Sequence, residues 1–112
     1  MTPWRLNRVT ELVERKLGSR VTLAEMARHA GISPFHFCRQ FKRATGMTPH
    51  QFVLHRRVER AKQRLAARDE ATLAEMSGQL GFVSQSHFTT VFRRLAGSTP
   101  RAYRELLRVG AA

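Results

Sequence analysis

The chain has 112 residues, with 20 lysines and arginines against 8 acidic residues, so its formal charge at pH 7 is +12. Because 42% of the residues are hydrophobic, the sequence predicts a packed domain and excludes a disordered basic tail. A single cysteine excludes an internal disulfide framework, and no apolar run approaches the ~18 residues of a membrane-spanning helix. We therefore expect a cytoplasmic basic domain that has no membrane partner and binds a polyanion.

Helix start and stop signals recur along the chain, whereas strand signals do not. Starts combine a Ser or Thr N-cap with proline at the first helical position, or with a capping box of threonine and glutamate. Most stops are glycines placed where a left-handed residue ends a helix. The helices are predicted to begin at Thr2, Thr22, Ser33, Thr48, Thr72, Ser84 and Thr99, and the first six to end near Gly18, Gly31, Gly46, Ala67, Gly81 and Gly97. The sequence therefore predicts an all-α protein of about seven helices.

The longest predicted helix carries an apolar stripe beside a basic one. The apolar stripe comprises Leu54, Val58, Ala61 and Leu65, and the basic stripe comprises Arg56, Arg60 and Arg64. Residues spaced by three or four lie on one face of a helix. We expect the apolar stripe to be buried and the basic stripe to be solvated, with direct contact to phosphates as the alternative for these arginines.

A structural unit is repeated within the chain. Leu23–Met26 recurs 50 positions later as Leu73–Met76, and beyond the turn the offset becomes 51, as in Phe41 and Phe92. One extra residue has entered the second turn. So many positions kept in register indicate a duplication. Each unit consists of a short capped helix, a glycine turn and a second capped helix, which is the layout of a helix-turn-helix.

The residues of both units resemble the tandem helix-turn-helix DNA-binding domain of AraC/XylS-type transcriptional regulators. The resemblance is most specific over Gly81–Phe88 and Gly97–Arg104, and the first unit adds Ser33–Lys42 and Gly46–Pro49. It covers about residues 6 to 108, which is nearly the whole chain.

This resemblance implies one DNA-binding domain over residues 1–112 with two homeodomain-like lobes. The first lobe would span about residues 3–48 and the second about 68–109, joined by a long central helix over about 49–67. Each lobe would present its second helix, the recognition helix, to one face of the DNA.

On the first recognition helix, the helical period separates a core face from an outward face. We expect the core face to comprise Phe37, Phe41 and Ala44. The outward face, predicted to contact DNA, comprises Phe35, Cys38, Arg39, Lys42 and Arg43. Arg39 can donate two hydrogen bonds to O6 and N7 of guanine, and Phe35 either contacts a thymine methyl group or packs within the lobe.

The second recognition helix is predicted to present a less basic surface. Its expected core face comprises Phe88, Val91, Phe92 and Leu95. The outward residues, to which the resemblance also assigns base or phosphate contact, are Gln85, Ser86, Thr89, Thr90 and Arg93. Because only Gln85 could pair with a base, adenine, through two hydrogen bonds, we expect the second lobe to read sequence less sharply.

The 5 histidines form no recognisable metal-ligand pattern. His36 and His87 occupy equivalent repeat positions about 50 residues apart, without a cysteine or carboxylate at ligand spacing. Cys38 has neither a base nor a second cysteine beside it, and the sequence shows no paired acids or glycine-rich phosphate loop. We therefore predict no metal, no cofactor and no catalytic residues, and a protein that is not an enzyme.

Together with the resemblance, these features predict a bacterial transcriptional regulator that binds double-stranded DNA sequence-specifically in the cytoplasm, at the nucleoid. An activator is expected, although the sequence itself does not distinguish activation from repression. Because the repeat is direct, the expected site is asymmetric, with two recognition helices in successive major grooves about 10 bp apart. The chain is expected to be a monomer that dimerises only through segments outside it, with RNA polymerase as a further candidate partner. The sequence fits either a small stand-alone regulator or the C-terminal domain of a longer one.

Three other functions are compatible with parts of the pattern. A DNA-repair enzyme that uses such lobes for delivery would need a catalytic domain, which this sequence does not show. A non-specific basic nucleic-acid-binding module would account for the charge but leaves the duplicated turn unexplained. A helical protein-interaction module would account for the helices but leaves the charge without a role.

Overall fold

The computed structural model describes residues 1–111, and these form seven α-helices without a strand. The helices are α1 (Pro3–Arg15), α2 (Leu23–Ala30), α3 (Pro34–Thr45), α4 (Pro49–Ala66), α5 (Leu73–Gln79), α6 (Gln85–Ala96) and α7 (Pro100–Ala111). The predicted all-α architecture is confirmed.

The chain divides into two compact units, Met1–Arg56 (unit 1) and Arg57–Ala112 (unit 2). The boundary lies inside α4, so each unit takes one half of that helix. Each unit contains one copy of the repeat: α2 and α3 lie in unit 1, and α5 and α6 lie in unit 2. The two recognition helices therefore belong to different units.

The predicted helix starts are present as hydrogen-bonded caps. Thr22 Oγ1 accepts a hydrogen bond from the N–H of Glu25 at 3.1 Å, and Glu25 Oε1 accepts one from the N–H of Thr22 at 3.4 Å. Thr72 and Glu75 repeat this capping box at 3.0 and 3.3 Å. Such caps satisfy backbone donors that a helix start leaves free, which contributes about 1 kcal/mol each.

Left-handed glycines end both recognition helices, as predicted: Gly46 follows α3 with φ 77°, and Gly97 follows α6 with φ 86°. The same prediction is wrong for Gly18. Helix α1 already ends at Arg15, and its C-cap, Lys16, has φ −107°. The chain turns there through a hydrogen bond from the N–H of Ser19 to the carbonyl of Lys16, with Leu17 buried in the core. The chain therefore leaves α1 without a left-handed residue at Gly18.

Each unit has its own apolar core. In unit 1 the buried apolar residues include Val9, Leu12, Val13, Leu17, Met26, Ala27, Ala30, Phe37, Phe41, Val53 and Leu54. In unit 2 the buried apolar residues include Val58, Ala61, Leu65, Met76, Leu80, Phe82, Phe88, Val91 and Phe92. The apolar stripe of α4 is thus buried, as expected.

Two residues assigned to the core faces lie outside it. Ala44 is exposed and Leu95 is only half-buried. Both stand near the C-terminal end of their helices, beyond Phe41 and Phe92, the last residues that α3 and α6 bury. Helical spacing identifies the correct side of a helix, but it does not show how far along the helix the core extends.

We expect Gly46→Ala and Gly78→Ala to change stability in opposite directions. A Cβ atom at either glycine would meet no atom within 4 Å, so packing does not contribute. Gly46 has φ +77°, where an L-residue is strained by roughly 1–2 kcal/mol, so its substitution destabilises unit 1. Gly78 lies within α5, where alanine is favoured by about 0.5–1 kcal/mol. Urea denaturation of both variants measures these changes, and an equal loss of stability in both would contradict the backbone argument.

Candidate nucleic-acid interface

Helix α3 presents its predicted contact residues away from the core of unit 1. Arg39, Lys42 and Arg43 are exposed, Cys38 is half-buried, and Phe35 is 66% exposed. At this exposure the Phe35 ring contributes little to the core of unit 1, which favours the contact with a ligand over packing within the lobe. The helix start is held by Ser33, whose Oγ accepts the N–H of His36 at 3.3 Å and lies 2.7 Å from His36 Nδ1.

Phe35 and Arg39 form a pair on this outward surface. The guanidinium carbon of Arg39 lies 5.7 Å from the centre of the Phe35 ring, one helical turn away. A cation over an aromatic face is attracted to it, by about 0.5–1 kcal/mol at an exposed site. The ring therefore restricts the orientation of the Arg39 fork before any ligand is bound.

A basic groove runs from the outward surface of α3 to the start of α4, all within unit 1. It has a volume of about 540 Å³ and is lined by Cys38, Arg39, Lys42, Arg43, Thr48 and Pro49. Three of its six lining residues are cations and none is acidic, so the groove suits a phosphate-bearing ligand.

Helix α6 presents its predicted set in unit 2 with less charge. Gln85, Ser86, Thr90 and Arg93 are exposed, and Thr89 is half-buried. Ser84 caps the helix by accepting the N–H of His87 at 3.0 Å. Unlike His36, His87 has a buried Nδ1 without a hydrogen-bond partner among the described residues, and its ring lies edge-on to Phe82 at 5.6 Å. His87 therefore packs beneath the turn, whereas His36 takes part in the cap.

Arg57 is a residue that the sequence reasoning missed. It is only 8% exposed, and its guanidinium carbon lies 5.8 Å from the ring centre of Phe82, in the turn before α6. Burial lowers the pKa of this guanidinium. Its burial could have been predicted from its spacing, because it lies three residues after Leu54 and four before Ala61, on the apolar face of α4. Arg57 thus packs against the turn that precedes α6 and is not available to solvent.

The basic stripe of α4 is not the solvated face that we expected. Arg56 pairs with Glu14 of α1, and Arg64 pairs with Asp69 at 2.8 Å and with Gln79 at 2.7 Å. The hydrogen bond from Arg64, with a second from the N–H of Ala71, lowers the pKa of the Asp69 carboxyl. Arg56 and Arg64 thus connect α4 to neighbouring elements of their own units. Their guanidinium groups already have partners within the protein, which makes them poor candidates for phosphate contacts.

Other kinds of site find little support in the described part of the chain. Within residues 1–111, no three or more histidine, cysteine or acidic side chains lie close enough together to hold a metal ion. None of the helices there combines the length and the apolar character that crossing a membrane requires.

Comparison with known proteins gives consistent matches. The family described as "Helix-turn-helix domain" matches residues 26–106. The chain is 38% identical over 106 residues to the probable transcriptional regulator LumQ of Photobacterium leiognathi, covering 93% of this chain and 42% of LumQ. The chain thus spans less than half the length of this curated relative.

Two solved structures are similar over nearly the whole chain. An AraC-type transcriptional regulator from Chromobacterium violaceum matches with a TM-score of 0.85 and 26% identity, covering 92% of this chain and 91% of that one. The DNA-binding domain of the global transcriptional factor AdpA, solved with a target DNA, matches with a TM-score of 0.84 and 31% identity, covering 94% and 93%.

Proposed function

The chain belongs to the helix-turn-helix family as an AraC-type, sequence-specific DNA-binding domain, and from this premise we propose that α3 and α6 read successive major grooves of one asymmetric site. One observation supports this proposal above the others. The capped helix, turn and capped helix occur twice, and each second helix carries exposed polar or basic side chains opposite two fully buried phenylalanines. Because the two surfaces belong to a direct repeat within one chain and not to two copies of a symmetric dimer, they suit a DNA site that is not palindromic.

In this proposal α3 is the more selective reader. The exposed fork of Arg39, oriented by Phe35, donates to O6 and N7 of a guanine. The Phe35 ring contacts a neighbouring thymine methyl group, and Lys42 and Arg43 hold backbone phosphates. Cys38 is a small residue beside the groove and takes no chemical role.

Helix α6 contributes a weaker reading of sequence. Gln85, at the helix start, can pair with adenine, whereas the hydroxyls of Ser86, Thr89 and Thr90 discriminate poorly between bases. Arg93 lies two turns along the helix and holds a phosphate. The second half of the site therefore carries less sequence information than the first.

For the protein as a whole we propose a bacterial transcription activator that works on DNA in the cytoplasm, at the nucleoid, and contacts RNA polymerase. The relatives' names support a regulatory role, and the chain covers 42% of LumQ, so sensing and dimerisation would belong to other segments of such a protein. The chain itself would act as a monomer with two lobes, about residues 3–48 and 68–109, joined by a helix over about 49–67. It would need no cofactor and perform no catalysis.

Selection from randomised duplex DNA tests the proposal. We expect one enriched asymmetric site with two blocks of preferred sequence about 10 bp apart, bound by one chain. With about six phosphates neutralised, log K against log salt should fall with a slope near −5. A palindromic site that needs two chains would overturn the arrangement of the lobes. Binding without any enriched sequence would favour the non-specific module, and a slope shallower than about −2 would favour the protein-interaction module.

A further inference from the structure

A second cleft opens beside the outward surface of α6, entirely within unit 2. Its volume is about 640 Å³, and its walls include Gln85 and Thr89 of α6 together with Thr99, Arg101 and Arg104 around the start of α7. This places two arginines that the sequence reasoning did not single out next to the side chains proposed to read the DNA.

Arg104 carries a donor that the protein itself does not satisfy. Its Nε is buried and has no hydrogen-bond partner among residues 1–111. A buried guanidinium donor is costly to leave without an acceptor, so Arg104 has a free donor with which it can bind an acceptor from outside the protein. Arg101, three residues earlier on the same helix, is exposed and lines the same cleft.

The repeat shows that the cations of the two grooves come from different helices. In unit 1 the recognition helix supplies them, as Arg39, Lys42 and Arg43. In unit 2 the recognition helix contributes only Gln85 and Thr89 to the cleft, and the arginines stand on the following helix. With the repeat offset of 51, the positions of Arg101 and Arg104 are occupied in unit 1 by His50 and by the buried Val53. A cationic groove beside the recognition helix is thus kept in both units, although its charges are carried by different elements.

We propose that this cleft binds a backbone phosphate of the DNA half-site that α6 reads, with Arg101 and Arg104 as its cations. The inference rests on the proposed function, because the phosphate belongs to that DNA. Guanidinium groups match phosphate through paired N–H···O bonds, and the cleft adjoins the polar surface of α6. The second lobe therefore gains more of its binding energy from the DNA phosphates than from base contacts.

Glu70 also lines the cleft, and its carboxylate opposes an incoming anion. Two arginines exceed this one acid, so the cleft keeps a positive charge. Removing the carboxylate with Glu70→Gln is expected to tighten binding by about twofold to fivefold, since one opposing charge is lost at a phosphate contact.

The experiment measures affinity for a short duplex carrying the selected site, at several salt concentrations. We expect Arg101→Ala and Arg104→Ala each to weaken binding about fivefold at 0.15 M salt, and to flatten the salt slope by about 0.9. Arg108→Ala is the matched control, because Arg108 is exposed on the same helix, pairs with Glu105 at 3.1 Å and lies outside this cleft. Its effect should be clearly smaller. Thermal melting followed by circular dichroism checks that each variant folds, and the exposed Arg101 provides the test if Arg104→Ala does not.

Ethylation of single phosphates identifies the contact directly. One ethylated phosphate in the α6 half-site should weaken the wild-type chain but leave Arg101→Ala unaffected. If both arginine variants behave like Arg108→Ala, the inference is wrong while the proposed function stands. If the wild-type chain shows no preferred site, the proposed function fails and the inference fails with it. Inorganic phosphate at constant ionic strength should not compete, and competition that disappears in Arg104→Ala would assign the cleft to free phosphate instead.

Discussion

Phe92→Ala is expected to destabilise unit 2 by about 3–5 kcal/mol, the range found when a buried phenylalanine is truncated to alanine. The side chain is fully buried, and its ring lies edge-on to Tyr103 at 5.5 Å and to Phe88 at 5.8 Å. Alanine leaves a cavity that α6 and α7 cannot close without moving. Denaturant unfolding, followed by a probe in each unit, measures the loss and shows which unit melts first.

Phe35→Ala is the matched control, because it makes the same chemical change at a ring that is 66% exposed. We expect it to cost less than about 1 kcal/mol of stability, since little apolar area is lost. It should nevertheless weaken DNA binding, because Arg39 loses the ring beneath its guanidinium. If Phe35→Ala were as destabilising as Phe92→Ala, the separation of a core face from a DNA-reading face would be wrong.

Arg39→Ala is expected to weaken binding to the selected site by about 1–3 kcal/mol, roughly 5- to 150-fold, and to relax the preference at one or two adjacent positions. A bidentate arginine distinguishes guanine from other bases, and Arg39 is exposed on the first half of α3. Repeating the site selection with the variant measures both effects. A double-mutant cycle with Phe35→Ala then gives the coupling between ring and guanidinium, which we expect to be about 0.5–1 kcal/mol.

Two substitutions in α6 provide the comparison for Arg39. Thr90 stands at the equivalent repeat position, and Thr90→Ala should cost less and change selectivity little, because a lone hydroxyl discriminates weakly between bases. Arg93→Ala should weaken all sequences alike and flatten the salt slope by about 0.9. Should the half-site beneath α6 prove richer in sequence information than the one beneath α3, the inferred asymmetry between the lobes would be wrong.

The helices, their caps and the outward faces of α3 and α6 were predictable from the sequence. The capping boxes at Thr22 and Thr72 involve residues three apart, and the left-handed ends at Gly46 and Gly97 depend on a single backbone position. Such features are local, so a short window of sequence contains everything that determines them. The tandem duplication helped to identify the outward faces, because it aligns α3 with α6 and lets the two helices be compared position by position.

The extent of the cores and the partners of the charged groups were decided only by tertiary structure. Ala44 has the correct helical phase for burial, yet its side chain is exposed near the C-terminal end of α3. Arg56 is held by Glu14, 42 positions away, and Arg64 by Gln79, 15 positions away. Arg57 is buried because Phe82 lies against it, and Arg104 contributes to a cleft because α7 begins beside α6. The physical reason is common to all of them: burial and ion pairing depend on which distant segments meet in space, and sequence periodicity records only the direction in which a side chain points.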